Sequence, residues 1–277
     1  MISAGLQEKH RNLKGILQPL DGCLVAFSGG VDSSTLLAEC LAVHRSRAAA
    51  IIAQSPALPK DDYLSACQLA SQLGATLKTV QTQELHQDNF TQNAPDRCYI
   101  CKKHMYQLFI AEAKAMGFPH VLDGSNADDE RDYRPGFQAV KELGIRSPLM
   151  EAGMTKSDVR ALAKQMGLPN WNKPAAACLY SRIPYGQKIT PAKTRRIDAA
   201  ETFLHRLGFD TVRVRDHGSI ASIEINPDQF ADIMSKSTLS QIINSLKNLG
   251  YLYITLDLEG YRTGSLNVTI TNPDEEK

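Results

Sequence analysis

A run of serine, glycine and aspartate has the composition of a phosphate-binding turn. It reads Ser28-Gly29-Gly30-Val31-Asp32-Ser33-Ser34 and lies between an apolar stretch and a helical pattern. Glycines let the backbone approach a phosphate, the helix N-terminus offers unpaired N–H groups and a positive dipole, and the serine hydroxyls add donors. Asp32 would repel phosphate unless it helped to hold a divalent cation. The run predicts a cradle for a metal–nucleotide complex, with ATP and Mg²⁺ as cofactors; a plain glycine turn with a helix cap is the alternative.

Three of the six cysteines differ from the others in their context. Cys98 and Cys101 form a C-x2-C pair at the start of a helical pattern, and Cys178 lies in an irregular loop, whereas the rest lie in apolar patterns typical of core positions. The helix start and the neighbouring basic residues, Arg97, Lys102 and Lys103, favour thiolates. If Cys178 folds back onto the pair, the three thiolates can hold a [4Fe–4S] cluster in which one iron lacks a protein ligand and can bind a sulfide.

Other interpretations of the cysteines remain open. A redox pair of Cys98 and Cys101 ranks second, and a structural zinc site that also uses His104 ranks third. A surface C-x2-C pair without a role is the remaining possibility.

Alternating short apolar runs and helical patterns predict the elements that position these residues. In the first half they are typical of βα units and hence of a parallel sheet. The expected strands are 23–27, 48–55, 76–81 and 121–124, and the expected helices are 33–44, 60–73, 98–116 and 155–166, the last opening with a near capping box of Thr155 and Asp158. The fold class is therefore α/β.

The pattern changes between Gly167 and Pro191, where a proline- and glycine-punctuated stretch carries Cys178. A connection of this length is often functional. Beyond it, helices at 195–207 and 239–249 and strands at 211–215, 220–225 and 251–258 predict a smaller α+β unit. We expect two domains, residues 1–190 with the nucleotide site and residues 191–277 for substrate binding and oligomerisation.

Composition and charge exclude several classes of protein. The 277 residues are 43% hydrophobic, with 31 basic against 30 acidic side chains. A chain so nearly neutral has no global field to hold nucleic acid or an anionic membrane, so neither is an expected partner. The N-terminus lacks the apolar segment of a signal peptide, no run is long enough to span a bilayer, and six cysteines are too sparse for a disulfide scaffold. The expected location is the cytoplasm.

The SGGVDSS run resembles the signature of the PP-loop ATP pyrophosphatases, which cleave ATP between the α- and β-phosphates. Four further segments, LDGSNADDERDYRPG, NWNKPAAACLYSRIPYG, TVRVR and TLDLEGYRTG, resemble the LarE family of sulfur transferases over nearly the whole chain. That resemblance implies adenylation of the carboxylates of pyridinium-3,5-biscarboxylic acid mononucleotide, then replacement of AMP by sulfur to give the bis-thiocarboxylate of the nickel-pincer nucleotide of lactate racemase. It also implies a homo-oligomer.

The resemblance also implies roles for single residues. One version of the family gives up the sulfur of a single loop cysteine, at a position that matches Ala177; another holds a cluster with three cysteines, and the presence of Cys98, Cys101 and Cys178 favours this second version, with sulfide or another sulfur donor. The catalytic residues are then these cysteines and Asp32. The substrate-binding residues implied by the family, or by arginines that alternate on one strand, are Ser181, Arg182, Glu201, Arg213, Arg215, Asp232 and Arg262.

Three other functions compete with this one. Thiolation of tRNA also pairs a PP-loop with cysteines, but the neutral charge and the absence of an appended RNA-binding segment count against it. Amide ligation would leave the three cysteines unused. A nucleotide- or metal-binding module without turnover is the non-enzymatic alternative.

Overall fold

The structure, a computed structural model, describes residues 3–131, 135–174 and 178–262. Parts of three motifs quoted above, including Ala177, lie outside these ranges. The helices are α1 (Ala4–Leu17), α2 (Val31–His44), α3 (Lys60–Gln72), α4 (Asp88–Thr91), α5 (Arg97–Ala115), α6 (Pro135–Glu142), α7 (Pro148–Glu151), α8 (Lys156–Gln165), α9 (Pro191–Arg206), α10 (Phe230–Ile233) and α11 (Lys236–Asn248). The strands are β1 (Cys23–Ala26), β2 (Ala48–Gln54), β3 (Thr76–Gln81), β4 (Val121–Leu122), β5 (Val212–Asp216), β6 (Ile220–Ile225) and β7 (Tyr253–Leu256).

The chain divides into two units that do not follow the sequence in two simple blocks. The first unit comprises Met1–Ser55, Lys60–Glu84 and Asp96–Ala176, and the second comprises Pro56–Pro59, Leu85–Pro95 and Ala177–Lys277. The predicted boundary at residue 190 stays a prediction.

The first unit is built on a parallel sheet with the strand order β3-β2-β1-β4. Strand β1 is almost wholly apolar and pairs with β2 on one side and β4 on the other. Buried residues of the strands and of α5, among them Leu24, Ile51, Tyr106 and Phe109, form one of its cores. Because the chain leaves β1 toward β2 and reaches β4 later on the opposite side, the strand order reverses between β1 and β4. In such sheets ligands bind outside the carboxyl ends of the strands at that point.

The predicted α/β class is confirmed, with small shifts at the ends of elements. The capping box is present: Thr155 accepts from the backbone of Asp158, whose carboxylate accepts from the backbone of Thr155. Helix α9 begins at Pro191, capped by Thr190, four residues before the expected start. Helix α1 was not predicted, although Ser3 caps it and Leu6, Leu13 and Leu17 form a buried face.

The second unit has a three-stranded sheet of order β5-β6-β7, in which β5 and β6 are antiparallel and β6 and β7 parallel. Residues of α9 and α11 pack on this sheet around Val214, Ile223 and Leu246. The sheet places Arg213 and Arg215 two positions apart on β5, so their side chains leave the same face.

Candidate functional site

The glycine turn joins β1 to α2 in a conformation that needs glycine. Gly29 has a φ of +71°, and a Cβ there would lie 2.7 Å from the Cβ of Ala66 on α3. Gly30 is the N-cap of α2 and provides no side chain to cap the helix. The N–H groups of the first helical turn have no carbonyl one turn earlier to bind, so they remain available to an anion.

The hydroxyl groups of Ser33 and Ser34 hold this turn together. Ser33 Oγ accepts from the backbone N–H of Ser28 at 3.2 Å, and it donates to the Gly30 carbonyl at 3.2 Å. Ser34 Oγ donates to the same carbonyl at 2.8 Å. The carbonyl of Gly30 is thus fixed by hydroxyl groups inside the turn.

Asp32 carries a carboxylate beside the turn and is paired with a cation. Its Oδ2 forms an ion pair with Lys156 Nζ, from the first residue of α8. Asn126 Nδ2 donates to Asp32 Oδ1 at 3.3 Å. A carboxylate, an ammonium group and the start of α2 therefore meet at the carboxyl edge of the sheet.

A buried acidic group orders the loop that follows β4. Asp123 accepts from the hydroxyl of Tyr106, from the backbone N–H of Ser125 at 2.8 Å, and from Ser147 Oγ at 3.4 Å. Burial raises the pKa of Asp123, but the charge of Lys102 and these hydrogen bonds outweigh burial and hold the pKa below its ordinary value. The ionised Asp123 fixes the start of the loop that carries Asn126 to Asp32.

Glycine at position 124 permits this loop to approach α2 closely. A Cβ there would lie 3.0 Å from the backbone nitrogen and the Cα of Ser33. The two chain segments that leave β1 and β4 therefore meet at the first turn of α2, where the strand order reverses.

The C-x2-C pair lies in the first turns of α5, within the first unit. Cys98 and Cys101 are three residues apart on a helix and so share a face. Cys98 is exposed and Cys101 half-buried, and neither forms a disulfide. Cys178 is an exposed thiol in the second unit, and each unit by itself supplies no more than two of the three thiols. Across the described ranges, no group of three or more His, Cys, Asp or Glu side chains is placed to hold a metal ion.

Lys103, a basic neighbour of the cysteine pair, is bound to other side chains. Lys103 Nζ donates to the Tyr99 hydroxyl at 2.6 Å and to Glu142 Oε2 at 3.0 Å. Hydrogen bonds from Tyr99, Lys103 and Gln138 lower the pKa of Glu142 to about 2. The positive charge of Lys103 is therefore neutralised by this carboxylate on α6.

In the second unit a buried ion pair anchors the turn that carries Cys178. Glu201 accepts from Arg182 through Nε at 2.8 Å and Nη2 at 2.9 Å, and from the backbone N–H of Val214 at 2.9 Å. Arg182 also donates from Nη1 to the carbonyl of Cys178 at 3.2 Å and to Ser181 Oγ at 2.9 Å. Helix α9 and strand β5 thus fix the backbone of the cysteine turn through one guanidinium group.

A second arginine holds the other end of the same turn. Arg215 pairs with Glu224 through Nε at 2.8 Å and Nη2 at 2.7 Å, and it donates from Nη1 to the carbonyl of Ser181 at 2.7 Å. Both charged groups are buried. Two neutralised arginines therefore hold the Cys178 turn against the sheet.

Arg213 is held in a different way. Its Nη1 donates to the carbonyl of Val212 at 2.7 Å, and its guanidinium carbon lies 5.2 Å from the centre of the Tyr261 ring. No carboxylate among the described residues is within ion-pair distance of it. Burial, together with the charges of Arg182 and Arg215, lowers the pKa of Arg213 from its ordinary value. An anion would relieve this unbalanced positive charge.

The last two predicted substrate residues lie at the surface of the second unit. Asp232 is exposed in α10, and Arg262 pairs with Glu259 at 2.5 Å while 45% of its side chain remains exposed. The structure thus brings Ser181, Arg182, Glu201, Arg213 and Arg215 into contact or close to one another within the second unit, whereas no hydrogen bond or ion pair joins Asp232 or Arg262 to them among the described residues.

Sequence reasoning missed three polar residues of the first unit. Lys156 and Asn126 both contact Asp32, and Asn170 contacts the glycine turn. No local pattern marks these residues, since each reaches its partner across more than 90 positions of sequence.

The geometry defines a class: a parallel-sheet nucleotide-binding protein whose glycine turn opens a helix at the point where the strand order reverses. No protein-family model matches the chain. It is 43% identical to an uncharacterized protein of Synechocystis sp., over 96% of this chain and 99% of that relative. It is 40% identical, over 97% of each chain, to the pyridinium-3,5-bisthiocarboxylic acid mononucleotide synthase of Lactiplantibacillus plantarum. The tRNA-specific 2-thiouridylase MnmA of Desulforamulus reducens is 27% identical over 54% of this chain and 52% of its own.

These similarities identify the family. At 40% identity over nearly its full length, the chain belongs to the LarE family of ATP-dependent sulfur transferases, within the PP-loop superfamily. No helix in the described ranges combines the length and apolar content that crossing a bilayer requires.

Proposed function

We propose that this protein uses ATP to activate the carboxylates of pyridinium-3,5-biscarboxylic acid mononucleotide and replaces one oxygen of each by sulfur. A carboxylate oxygen attacks the α-phosphorus, the bond to the β-phosphate breaks, and pyrophosphate leaves. A sulfide then attacks the acyl carbon, and AMP departs with the former carboxylate oxygen. The product belongs to nickel-pincer nucleotide synthesis, and we place the reaction in the cytoplasm. The relative from Lactiplantibacillus plantarum supports this substrate.

The observation that carries the proposal is the uncapped start of α2 beside an acid and an ammonium group. Positions 29 and 30 expose backbone without side chains, and the first N–H groups of α2 lack helical partners, so backbone donors are available to a phosphate. Asp32 is an oxygen ligand of the kind that Mg²⁺ takes, and Mg²⁺ when bound neutralises charge on the leaving pyrophosphate. Lys156, which is paired with Asp32, places an ammonium group beside the same turn.

The second unit supplies the proposed site for the substrate anion. Arg213 is the one of the three clustered arginines without a carboxylate partner among the described residues, so we assign it the substrate phosphate or a carboxylate. Guanidinium groups bind both anions bidentately. We keep Ser181, Arg182, Glu201, Arg215, Asp232 and Arg262 as the proposed surroundings of that anion.

For the sulfur source we propose a [4Fe–4S] cluster held by Cys98, Cys101 and Cys178. The donor set fits, because thiolates are the protein ligands of such clusters and two of the three share a helix face. The cluster when bound supplies an iron that can take an external sulfide. We also propose a homo-oligomer and the division into domains at residue 190.

Pyrophosphate release distinguishes this function from its competitors. ATP is supplied with the pyridinium biscarboxylate nucleotide, with unmodified tRNA, or with neither, in the presence of sulfide. We expect release only with the pyridinium substrate, accompanied by a product in which one oxygen per carboxylate is exchanged for sulfur. The partial similarity to the tRNA thiouridylase makes tRNA the necessary comparison. Release with tRNA alone would establish the thiolation alternative, and binding of ATP without release under any condition would establish a binding module.

A further inference from the structure

The glycine turn is held from outside by a side chain to which neither the family motifs nor the proposed reaction gives a role. Asn170 lies in the connection after α8, within the first unit. Its Nδ2 donates to the carbonyl of Gly29 at 2.9 Å and to Ser34 Oγ at 2.9 Å. One amide group therefore reaches both the turn and the first residues of α2.

These two contacts orient two consecutive carbonyl groups. The carbonyl of Gly29 is held directly, and the N–H of the same peptide group, on Gly30, donates to Ser28 Oγ at 3.3 Å. Ser34 Oγ, which accepts from Asn170, donates in turn to the carbonyl of Gly30 at 2.8 Å. The peptide group between the two glycines is thereby held at both its oxygen and its nitrogen.

This peptide group is the part of the turn that can most easily reverse. Glycine takes positive and negative φ at little cost, so a peptide flanked by two glycines meets little steric resistance to rotation. Reversal exchanges the directions of its N–H and C=O groups. A carbonyl oxygen turned toward the cradle would repel phosphate, where N–H groups and the helix dipole otherwise attract it.

The orientation of the Asn170 amide is itself fixed by its partners. A flipped amide would place Oδ1 against the Gly29 carbonyl, with two acceptors facing each other. Oδ1 instead is buried and has no hydrogen-bond partner among the described residues. A buried acceptor without a hydrogen-bond partner lowers the stability of a fold. The amide orientation that lets Nδ2 make its two contacts leaves Oδ1 in that state, so it costs stability, as is common at functional sites.

We propose that Asn170 is a positioning residue for ATP, which keeps the Gly29–Gly30 peptide from turning its carbonyl toward the phosphates. The inference rests on the proposed use of ATP at this turn. It predicts a loss of affinity that depends on the phosphates of the ligand and not on its nucleoside part.

The test compares Asn170→Asp and Asn170→Ala with the matched control Asn172→Asp. Asn172 is exposed in the same connection and makes no side-chain hydrogen bond among the described residues, so its variant introduces the same charge without the contact. ATP and adenosine are titrated into each folded protein by calorimetry, and thermal unfolding is recorded beside them. We expect Asn170→Asp to weaken ATP about tenfold or more and adenosine less than about twofold, since an acceptor then faces the Gly29 carbonyl. Asn170→Ala should lie between Asn170→Asp and the wild type.

The outcomes separate this inference from the proposed function. Equal losses for ATP and adenosine, or an Asn170→Asp protein that binds like Asn172→Asp, would overturn the positioning role. If Asn170→Asp does not fold, the uncharged Asn170→Ala decides the comparison by the same criterion. A wild-type protein that binds ATP but releases no pyrophosphate with the pyridinium substrate would refute the proposed function and leave the result on Asn170 standing.

Discussion

Replacing Glu201 by glutamine tests whether the buried ion pair with Arg182 holds the cysteine turn. The Arg182 side chain is 2% exposed and that of Glu201 7%, so the variant leaves a guanidinium charge without its counter-ion away from water. Glutamine has only one side-chain oxygen. If that oxygen still accepts from Nε of Arg182 and from the Val214 N–H, the new NH2 group faces the N–H of Nη2, so two donors oppose each other. Breaking a buried pair in this way costs about 3–5 kcal/mol.

The matched control is Glu259→Gln, which removes the same charge from a second arginine pair. The side chains of Arg262 and Glu259 are 45% and 67% exposed. An exposed pair contributes about 0–1 kcal/mol. Hydrogen exchange of the β5 and β6 amides, followed by mass spectrometry, measures the difference locally; at about 1.4 kcal/mol per tenfold, Glu201→Gln should speed their exchange by roughly 100-fold or more.

The position of Cys178 gives a second readout in the same proteins. Because Arg182 donates to the Cys178 carbonyl, a displaced guanidinium frees the turn, and we expect Cys178 to be alkylated faster while Cys98, in the other unit, serves as the internal standard. Adding Arg182→Met to Glu201→Gln removes the stranded charge and should restore much of the stability, but not the anchored turn. The reasoning would be refuted if Glu201→Gln lowered the stability no more than Glu259→Gln does. It would also be refuted if the double variant recovered the wild-type rate of Cys178 alkylation together with its stability.

Two further predictions concern the cysteines and the loss of stability at acid pH. Alanine at Cys98, Cys101 or Cys178 should each abolish the iron content and visible iron–sulfur absorbance of anaerobically purified protein while ATP affinity is retained; iron that persists in Cys178→Ala, or zinc in place of iron, would contradict the cluster. Since the pKa of Glu142 is lowered from 4.5 to about 2, its ionised form stabilises the fold above pH 4.5, and this contribution is lost as the pH falls toward 2. Glu142→Gln should therefore flatten the dependence of urea-unfolding free energy on pH in that window, whereas Glu8→Gln, at an exposed position on α1, should leave the slope unchanged.

Local signals in the sequence predicted the elements that carry the nucleotide site. The apolar run at β1, the glycines after it and the helical pattern of α2 lie consecutively in the chain, so the strand, turn and helix follow from neighbours alone. The capping box at Thr155 is equally local. Helix α1 carried signals that were overlooked, since Ser3 and the spacing of its leucines are those of a capped amphipathic helix.

The sequence did not reveal the side-chain contacts between residues that are far apart in the chain. Asp32 was expected to act on a cation, but that Lys156 forms its partner depends on how α8 is placed by the sheet. Glu201 was expected to bind substrate, and only the approach of β5 to α9 makes it the acceptor for Arg182 and Val214. No short-range pattern encodes such pairs, because the residues are adjacent only in the folded chain.

The arginine cluster of the second unit carries less net positive charge than its number of arginines suggests, because two of them are paired with glutamates. A cluster of Arg182, Arg213 and Arg215 counts as three positive charges in the sequence, yet Glu201 and Glu224 neutralise two of them in bidentate contacts. Those two are bound to the carbonyls of the cysteine turn and act as structural donors. The net charge that remains belongs to Arg213, where burial and the neighbouring guanidinium groups already disfavour the charged form. Under the proposed function, an anionic substrate bound by Arg213 would restore the balance there, and the two ion pairs that anchor the Cys178 turn would leave Arg213 as the arginine that receives it.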